Sequence, residues 1–288
     1  MRSRKARPVP GDNFNECCEY LLTRYSRRNA QVVAERLKTL CGFLKQEGNH
    51  VVQTTFGGSV RKNTYVTGLS DVDALLIVND SSLVNQPPAK VKRRVRDAIR
   101  QGLPDNTVRM GDLAVTVEYA DGTEIQLLPA IRTRTSGIRI AQPGTTGWSN
   151  IAHPERFAKK LAEVNTARGG RVVPAIKLAK AMADCFIEQE DRKIKGYHIE
   201  SLAIDAFEDY RGPLDTRSML IHLLGHSIKA VMHPLADSTG QSRYVDEYLG
   251  PADSPSRKRA STHFGQMRAM VRTCETKAAF NALFCVGL

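Results

Sequence analysis

The chain is short of acidic residues, carries a single tryptophan and has no long apolar run. Its 30 Asp and Glu face 42 Lys and Arg, a formal net charge of +12. Such a surface favours polyanions, and because nucleotides and nucleic acid both qualify, charge alone does not choose between them. No apolar run reaches the length needed to cross a bilayer, so no membrane partner is expected. The first residues, MRSRKARPVPGD, lack the apolar centre of a secretory signal. Six cysteines, at 17, 18, 41, 185, 274 and 285, include no CxxC and no Cys/His spacing of a zinc site. The expectation is a cytoplasmic chain with reduced, free thiols. No repeat or low-complexity tract is present. With 41% hydrophobic and 25% charged residues, the 288-residue chain has an ordinary globular composition and enough length for two lobes.

What is present is concentrated between Phe56 and Val78. Phe56-Gly57-Gly58-Ser59 is a small-residue turn, and a basic, polar segment (Val60 to Ser70) separates it from Asp71-Val72-Asp73. Ala74-Leu75-Leu76-Ile77-Val78 then reads as a short buried strand. Two apart on a strand, Asp71 and Asp73 point to one face. Like charges that close repel unless a cation sits between them. Oxygen ligands of this kind suit Mg²⁺, which usually also takes substrate phosphate oxygens. The turn upstream offers backbone N–H groups and a hydroxyl to a polyphosphate. Taken singly, a Gly-Gly pair is a turn and a DxD is a solvated strand end. In this order, with a strand behind them, they read together as a phosphate and metal site.

The GGS turn followed by DVD resembles the nucleotidyltransferase signature of the DNA polymerase β superfamily. More narrowly, FGGSVRKNTYVTGLSDVDALLIV is similar to the group that holds cyclic GMP–AMP synthase, the oligoadenylate synthetases and bacterial cyclic-oligonucleotide synthases. The resemblance runs from about Gln53 to about Leu249. It implies an α+β fold, with a polymerase β-like palm (a small mixed sheet with helices), a helical C-terminal lobe and a cleft between them. The pattern along the chain agrees. Residues 1–12 read as a loose basic tail, 13–145 as N-terminal helices and catalytic lobe, and 146–288 as the helical lobe. Ala89 to Gly102 is a basic helix ending at glycine. Leu113 to Tyr119 and Thr123 to Leu128 are strands joined at Asp121-Gly122, a hairpin signal. Pro154 to Asn165, Val172 to Glu188, Ile199 to Tyr210, Thr216 to Met232 and Ser254 to Leu283 carry helical spacing. Relatives that sense DNA carry a zinc-bound insertion, which this cysteine pattern cannot build, so no zinc is expected.

The resemblance also implies a set of site residues. Asp71 and Asp73 hold Mg²⁺ or Mn²⁺, and a third carboxylate comes from a neighbouring strand. Thr123-Glu124-Ile125-Gln126-Leu127-Leu128-Pro129-Ala130 is the matching stretch, but the position of the family aspartate is Gln126. Either Glu124 completes the catalytic and metal set from two residues earlier on the same face, acting as base as well, or Gln126 occupies the site without charge. Gly58 and Ser59 contact the triphosphate, with Arg61, Lys62 and Thr64 in the same loop. Lys180, in a helix reading AIKLAKAM with Lys177 one turn away, is the phosphate lysine. Tyr197, in Gly196-Tyr197-His198, stacks on the donor base, and the family serine beside it is Gly196 here. Arg132, Arg134 and Arg139 are candidates for the acceptor pocket. Trp148 is either an acceptor stack or a cap on the helical lobe. Pro234 to Gly240 resembles a turn of the cleft wall. The implied activity is a cyclic di- or oligonucleotide synthase that uses ATP, alone or with a second NTP, and acts through a downstream effector in anti-phage defence. A linear oligoadenylate or RNA-directed transferase, and an impaired nucleotide-binding module, are the alternatives. Nucleic acid is a possible partner but not a required one.

Overall fold

A computed structural model describes residues 13–25, 30–46, 51–66, 72–78, 85–133, 137–142, 146–186, 194–237 and 244–287. Helices α1 (Phe14–Tyr25) and α2 (Ala30–Gln46) come first. Then follow β1 (Val51–Phe56), the single turn α3 (Gly58–Arg61), β2 (Val72–Val78) and α4 (Pro88–Gly102). The palm continues with β3 (Thr107–Met110), β4 (Val115–Glu118), β5 (Glu124–Arg132) and β6 (Ile138–Ile140). The rest is helical: α5 (Pro154–Ala167), α6 (Val172–Phe186), α7 (Gly196–Glu208) and α8 (Thr216–Ala230). A 3₁₀ turn (Glu247–Leu249), α9 (Pro255–Thr273) and α10 (Lys277–Phe284) close the chain.

The sheet runs β1-β2-β5-β4-β3, with β6 on the far end of β5. Only β2 and β5 are parallel; the other pairs are antiparallel, so the sheet is mixed. Alternation divides its two faces. Val72, Ala74, Leu76, Ile125 and Leu127 point to one side, where α2 and α4 cover them with Leu40, Leu44, Val95 and Ile99. Asp73, Leu75, Gln126 and Leu128 therefore emerge on the other side, which faces the cleft. α4 explains its own basic sequence. Val91, Val95 and Ile99 go inward, and Lys92 is buried with its ammonium on the Gly111 and Asp112 carbonyls at 2.8 and 2.5 Å.

α1 packs with the helical lobe. Its stripe of Phe14, Cys17, Cys18 and Leu21 is buried in the same core as α6, α8, α9 and α10, apart from the catalytic sheet. Its one leucine, Leu21, contributes roughly 1.5–3 kcal/mol by its burial, and this joins the N-terminal segment to the helical lobe. The single helix expected over Ser254 to Leu283 is two. Ser254 caps α9 through the Arg257 N–H at 3.3 Å, and Thr276 caps α10 through the Ala279 N–H at 3.1 Å, so the chain turns between them. β3 and β6 were not expected from the sequence.

The expectation of six free thiols is also corrected. Cys185, near the end of α6, and Cys285, just past α10, form a disulfide across 100 residues, with their Cα atoms 5.7 Å apart. Cys17, Cys18, Cys41 and Cys274 remain thiols. A denatured sample prepared without reductant is expected to titrate four thiols per chain, and six after reduction. Six before reduction would refute the pairing. No helix among the described residues is long and apolar enough to cross a membrane.

Candidate active site

The Gly-Gly-Ser turn and β2 meet at one point. Gly57 donates its N–H to the Asp73 carbonyl at 2.9 Å, which pins the turn across the mouth of the strand. Gly58 follows with φ +47°, where a side chain is strained, and the Asp73 carboxylate lies directly over its Cα. The turn has to be glycine because the carboxylate occupies the space of a Cβ. Asp71 lies outside the described residues.

Two cavities open on either side of this junction. The more polar, of about 380 Å³, is lined by Ser59, Lys180, Asp184, Lys195 and Glu200, among others. The other, about 240 Å³, is floored by Leu75, Leu128, Ile138, Ile140 and Phe157. Gly58, Lys62, Asp73 and Tyr197 line both. Of the expected nucleotide residues, Gly58, Ser59, Lys180 and Tyr197 thus come together with Asp73.

Gln126 stands directly opposite Asp73 in the parallel register, and Thr116 opposite Gln126 on the next strand. Glu124 is one pleat further along β5, opposite Glu118, with its carboxylate on the half-exposed Arg109 guanidinium. The residue set beside Asp73 is therefore the amide, and the glutamate is engaged in a surface ion pair. A carboxylate and an amide oxygen side by side are hard donors of the sort Mg²⁺ and Mn²⁺ take. Among the described residues no three His, Cys, Asp or Glu side chains cluster as a metal centre.

Sequence reasoning missed the group beneath the polar cavity. Glu200, 1% exposed, accepts from Lys62, from the Thr64 hydroxyl and from Lys180, the last at 2.6 Å. Burial alone would raise its pKa, but the Lys180 and Lys62 ammonium charges more than offset that and hold the carboxyl below its usual range. Burial pulls the Lys180 ammonium below the ordinary lysine range, with Glu200 acting against the shift. Gly196, where the family has serine, leaves room for this lysine: a Cβ there would stand 3.1 Å from Lys180 Cε. The signal available in sequence was one acidic residue in the apolar run Ile199 to Ala203.

Tyr197 packs on Phe157 with centroids 4.7 Å apart, and its hydroxyl donates to Asp237 at 2.9 Å. That places the start of Pro234 to Gly240 against the cleft; residues 238–240 lie outside the described set. His198 turns inward, with Nδ1 3.0 Å from the Tyr248 hydroxyl, and lines neither cavity. Trp148 is not in the cleft either. It packs on Val78 and Val91 and donates Nε1–H to the Gln86 carbonyl at 2.9 Å. Arg132 and Arg139 are exposed and line neither cavity, and Arg134 lies outside the described residues.

Residues 11–165 match the family described as the Second Messenger Oligonucleotide or Dinucleotide Synthetase domain, SMODS. Among solved structures, the CD-NTase CdnG of Bradyrhizobium diazoefficiens, in complex with GTP, superposes with a TM-score of 0.75 at 13% identity, over 96% of this chain and 97% of that one. CdnC of Escherichia coli MS115-1, solved with ATP, gives 0.69 at 14% identity over 89% and 91%. Escherichia coli DncV in its 3′-deoxy GTP bound form gives 0.66 at 11% over 81% and 68%. No curated protein sequence matches the chain. At these identities the structures establish the polymerase β-like fold, and the domain match spans more than half of the residues: the chain belongs to the Second Messenger Oligonucleotide or Dinucleotide Synthetase family, and is a nucleotidyltransferase of the cyclic-oligonucleotide synthase type.

Proposed function

We propose that the chain makes a cyclic di- or oligonucleotide from ATP, alone or with a second NTP, with Mg²⁺ or Mn²⁺, and that the product signals to an effector in anti-phage defence. The observation that carries the reading is the junction of Gly58, Lys62, Asp73 and Tyr197 between two cavities, one polar and one apolar-floored. Two nucleotides seated there would meet at Asp73. The neighbours solved with GTP and with ATP support an NTP substrate. One of them, CdnC, was also solved in complex with a HORMA protein.

In this reading the polar cavity takes the donor triphosphate. The Gly57–Ser59 turn cradles its phosphates beside the lysines of the cavity wall, and the Tyr197 face takes its base. Asp73, with Asp71 and either Glu124 or Gln126, would hold the divalent ion, which when bound neutralises charge on the phosphates and the leaving pyrophosphate. The acceptor lies over the apolar floor, its hydroxyl toward Asp73, the carboxylate shared by both cavities and so the group placed to accept the proton. The Phe157–Tyr197 pair shields the junction from water.

Purified protein incubated with each labelled NTP and Mg²⁺ is expected to yield a phosphatase-resistant product, and Asp73→Asn to lower its rate by at least about a thousandfold. A surviving signal in Asp73→Asn would place the chemistry elsewhere. A second reading is favoured by one feature, the uncharged Gln126 opposite Asp73: a module that binds nucleotide and turns over slowly. Calorimetric ATP binding without pyrophosphate release would support it.

A further inference from the structure

Lys180 is the lysine that sequence resemblance assigns to the phosphates, but its hydrogen bonds are already used. Its ammonium donates to Glu200 at 2.6 Å, to the Thr64 carbonyl at 3.2 Å and to the Thr64 hydroxyl at 3.3 Å. An ammonium has three donors, so all are committed to the protein. Lys62 is placed differently. Glu200 takes a hydrogen bond from it below, and the rings of Phe157 and Tyr197 lie under its ammonium at 5.0 Å each. It lines both cavities, whereas Lys180 lines the polar one alone.

We propose that Lys62 is the residue that binds the nucleotide's phosphates at the junction of the two cavities, that Lys180 braces the Thr64 turn, and that Glu200 positions both from beneath. The inference rests on the nucleotide-binding reading of the site and adds the division of labour within it. Glu200 and the two aromatic faces confine the Lys62 ammonium in the wall that both cavities share, with donors left over for phosphate oxygens. Lys180 joins α6 to the Thr64 turn, and so sets the height at which the Gly58–Arg61 turn meets β2. The class of ligand is a phosphate that spans both cavities, such as one linking two nucleosides during transfer.

The test is calorimetry with ATP and with adenosine, alongside thermal melting, on the wild type, Lys62→Met, Lys62→Arg and Lys180→Met. Methionine keeps most of the Lys62 stem against the rings while removing the charge. Lys62→Met is expected to weaken ATP binding roughly ten- to a hundredfold with adenosine affinity unchanged, and to lower the melting temperature because the buried Glu200 loses one of its two ammonium partners; Lys62→Arg should restore part of both. Lys180→Met is expected to lower the melting temperature and to weaken ATP binding less than Lys62→Met does. ATP binding at wild-type strength in Lys62→Met overturns the proposal. So does an unaltered melting temperature in Lys180→Met combined with the larger loss of ATP affinity. If Lys180→Met does not fold, the Lys62 variants decide alone. Failure of the wild type to bind ATP would instead sink the reading of the site on which this rests.

Discussion

Gly58→Ala is expected to slow nucleotide transfer about a hundredfold while leaving the fold intact. The added Cβ would stand 1.8 Å from Asp73 Oδ2 and 2.7 Å from its Cγ, against a floor of 3.0 Å for real contacts. Either the turn or the carboxylate must then shift by about 1 Å, a displacement that costs roughly this much in rate when it falls on a reacting group. Alanine at positive φ adds strain of roughly 1–2 kcal/mol, tolerable for a chain with two extensive cores. Gly57→Ala is the control. Its φ is −107° and its Cβ would touch Leu75 Cγ at an ordinary 3.4 Å, so it should keep most of the activity. Rates measured beside circular dichroism separate the cases. Near-normal activity in Gly58→Ala would mean that the Asp73 carboxylate is not where the chemistry happens.

This contact also shows how far sequence reaches. The turn, the strand and the order between them are local, and each is written in residue type: glycines for the tight backbone, an apolar run for the strand, Asp121-Gly122 for the hairpin, with Gly122 at φ +78°. The pairing of β2 with β5 is not local. Only the register shows that Gln126 faces Asp73 while Glu124 belongs to Arg109. Period-two alternation put both residues on the right face but could not say which stood beside the aspartate. β3 and β6 escaped notice because they are four and three residues long, and β3 buries a single side chain. The α9–α10 break had a legible sign in Thr276, masked by apolar spacing that continues through it. Glu200 and Lys62 lie 138 residues apart, and Cys185 and Cys285 are separated by 100. Distances like these along the chain carry no pattern that a single sequence exposes. Likewise the amphipathic stripe of α1 announced a buried face but not which lobe would bury it.

The largest loss of stability is expected at Arg257. Its side chain is fully buried, an uncommon place for a charge that cannot be given up. The guanidinium is held by several acceptors: Nη1 donates to Asp246 Oδ2 at 2.6 Å and to the Val231 and His233 carbonyls at 2.9 and 3.0 Å, Nε to the Gly250 carbonyl at 3.0 Å, and Nη2 to the Asp246 carbonyl at 3.4 Å. One side chain thereby joins the end of α8, the 3₁₀ turn and the first turn of α9. Arg257→Ala strands the buried Asp246 carboxylate, a defect worth about 3–5 kcal/mol, or roughly 10 °C of melting temperature in a chain of this length. Arg257→Lys keeps the charge but not the planar fork, and should recover only part of it.

The same network sets an acid limit through His198. Burial, with Asp246 acting against it and Arg257 for it, depresses this imidazole to about 4, and its Nε2 lies 3.4 Å from Asp246 Oδ2. A histidine depressed in the folded state binds its proton first in the unfolded chain. Stability is therefore undiminished above about pH 6.5 and falls as the pH drops from there toward 4. In Arg257→Ala the opposing positive charge is gone and Asp246 faces the ring unscreened, so His198 should take up its proton at a higher pH. Its imidazole resonances, followed by NMR titration, would shift at a pH where the wild type is still neutral. Equal titration midpoints in the two proteins, or a melting temperature that survives Arg257→Ala, would show that the three groups do not act as one unit.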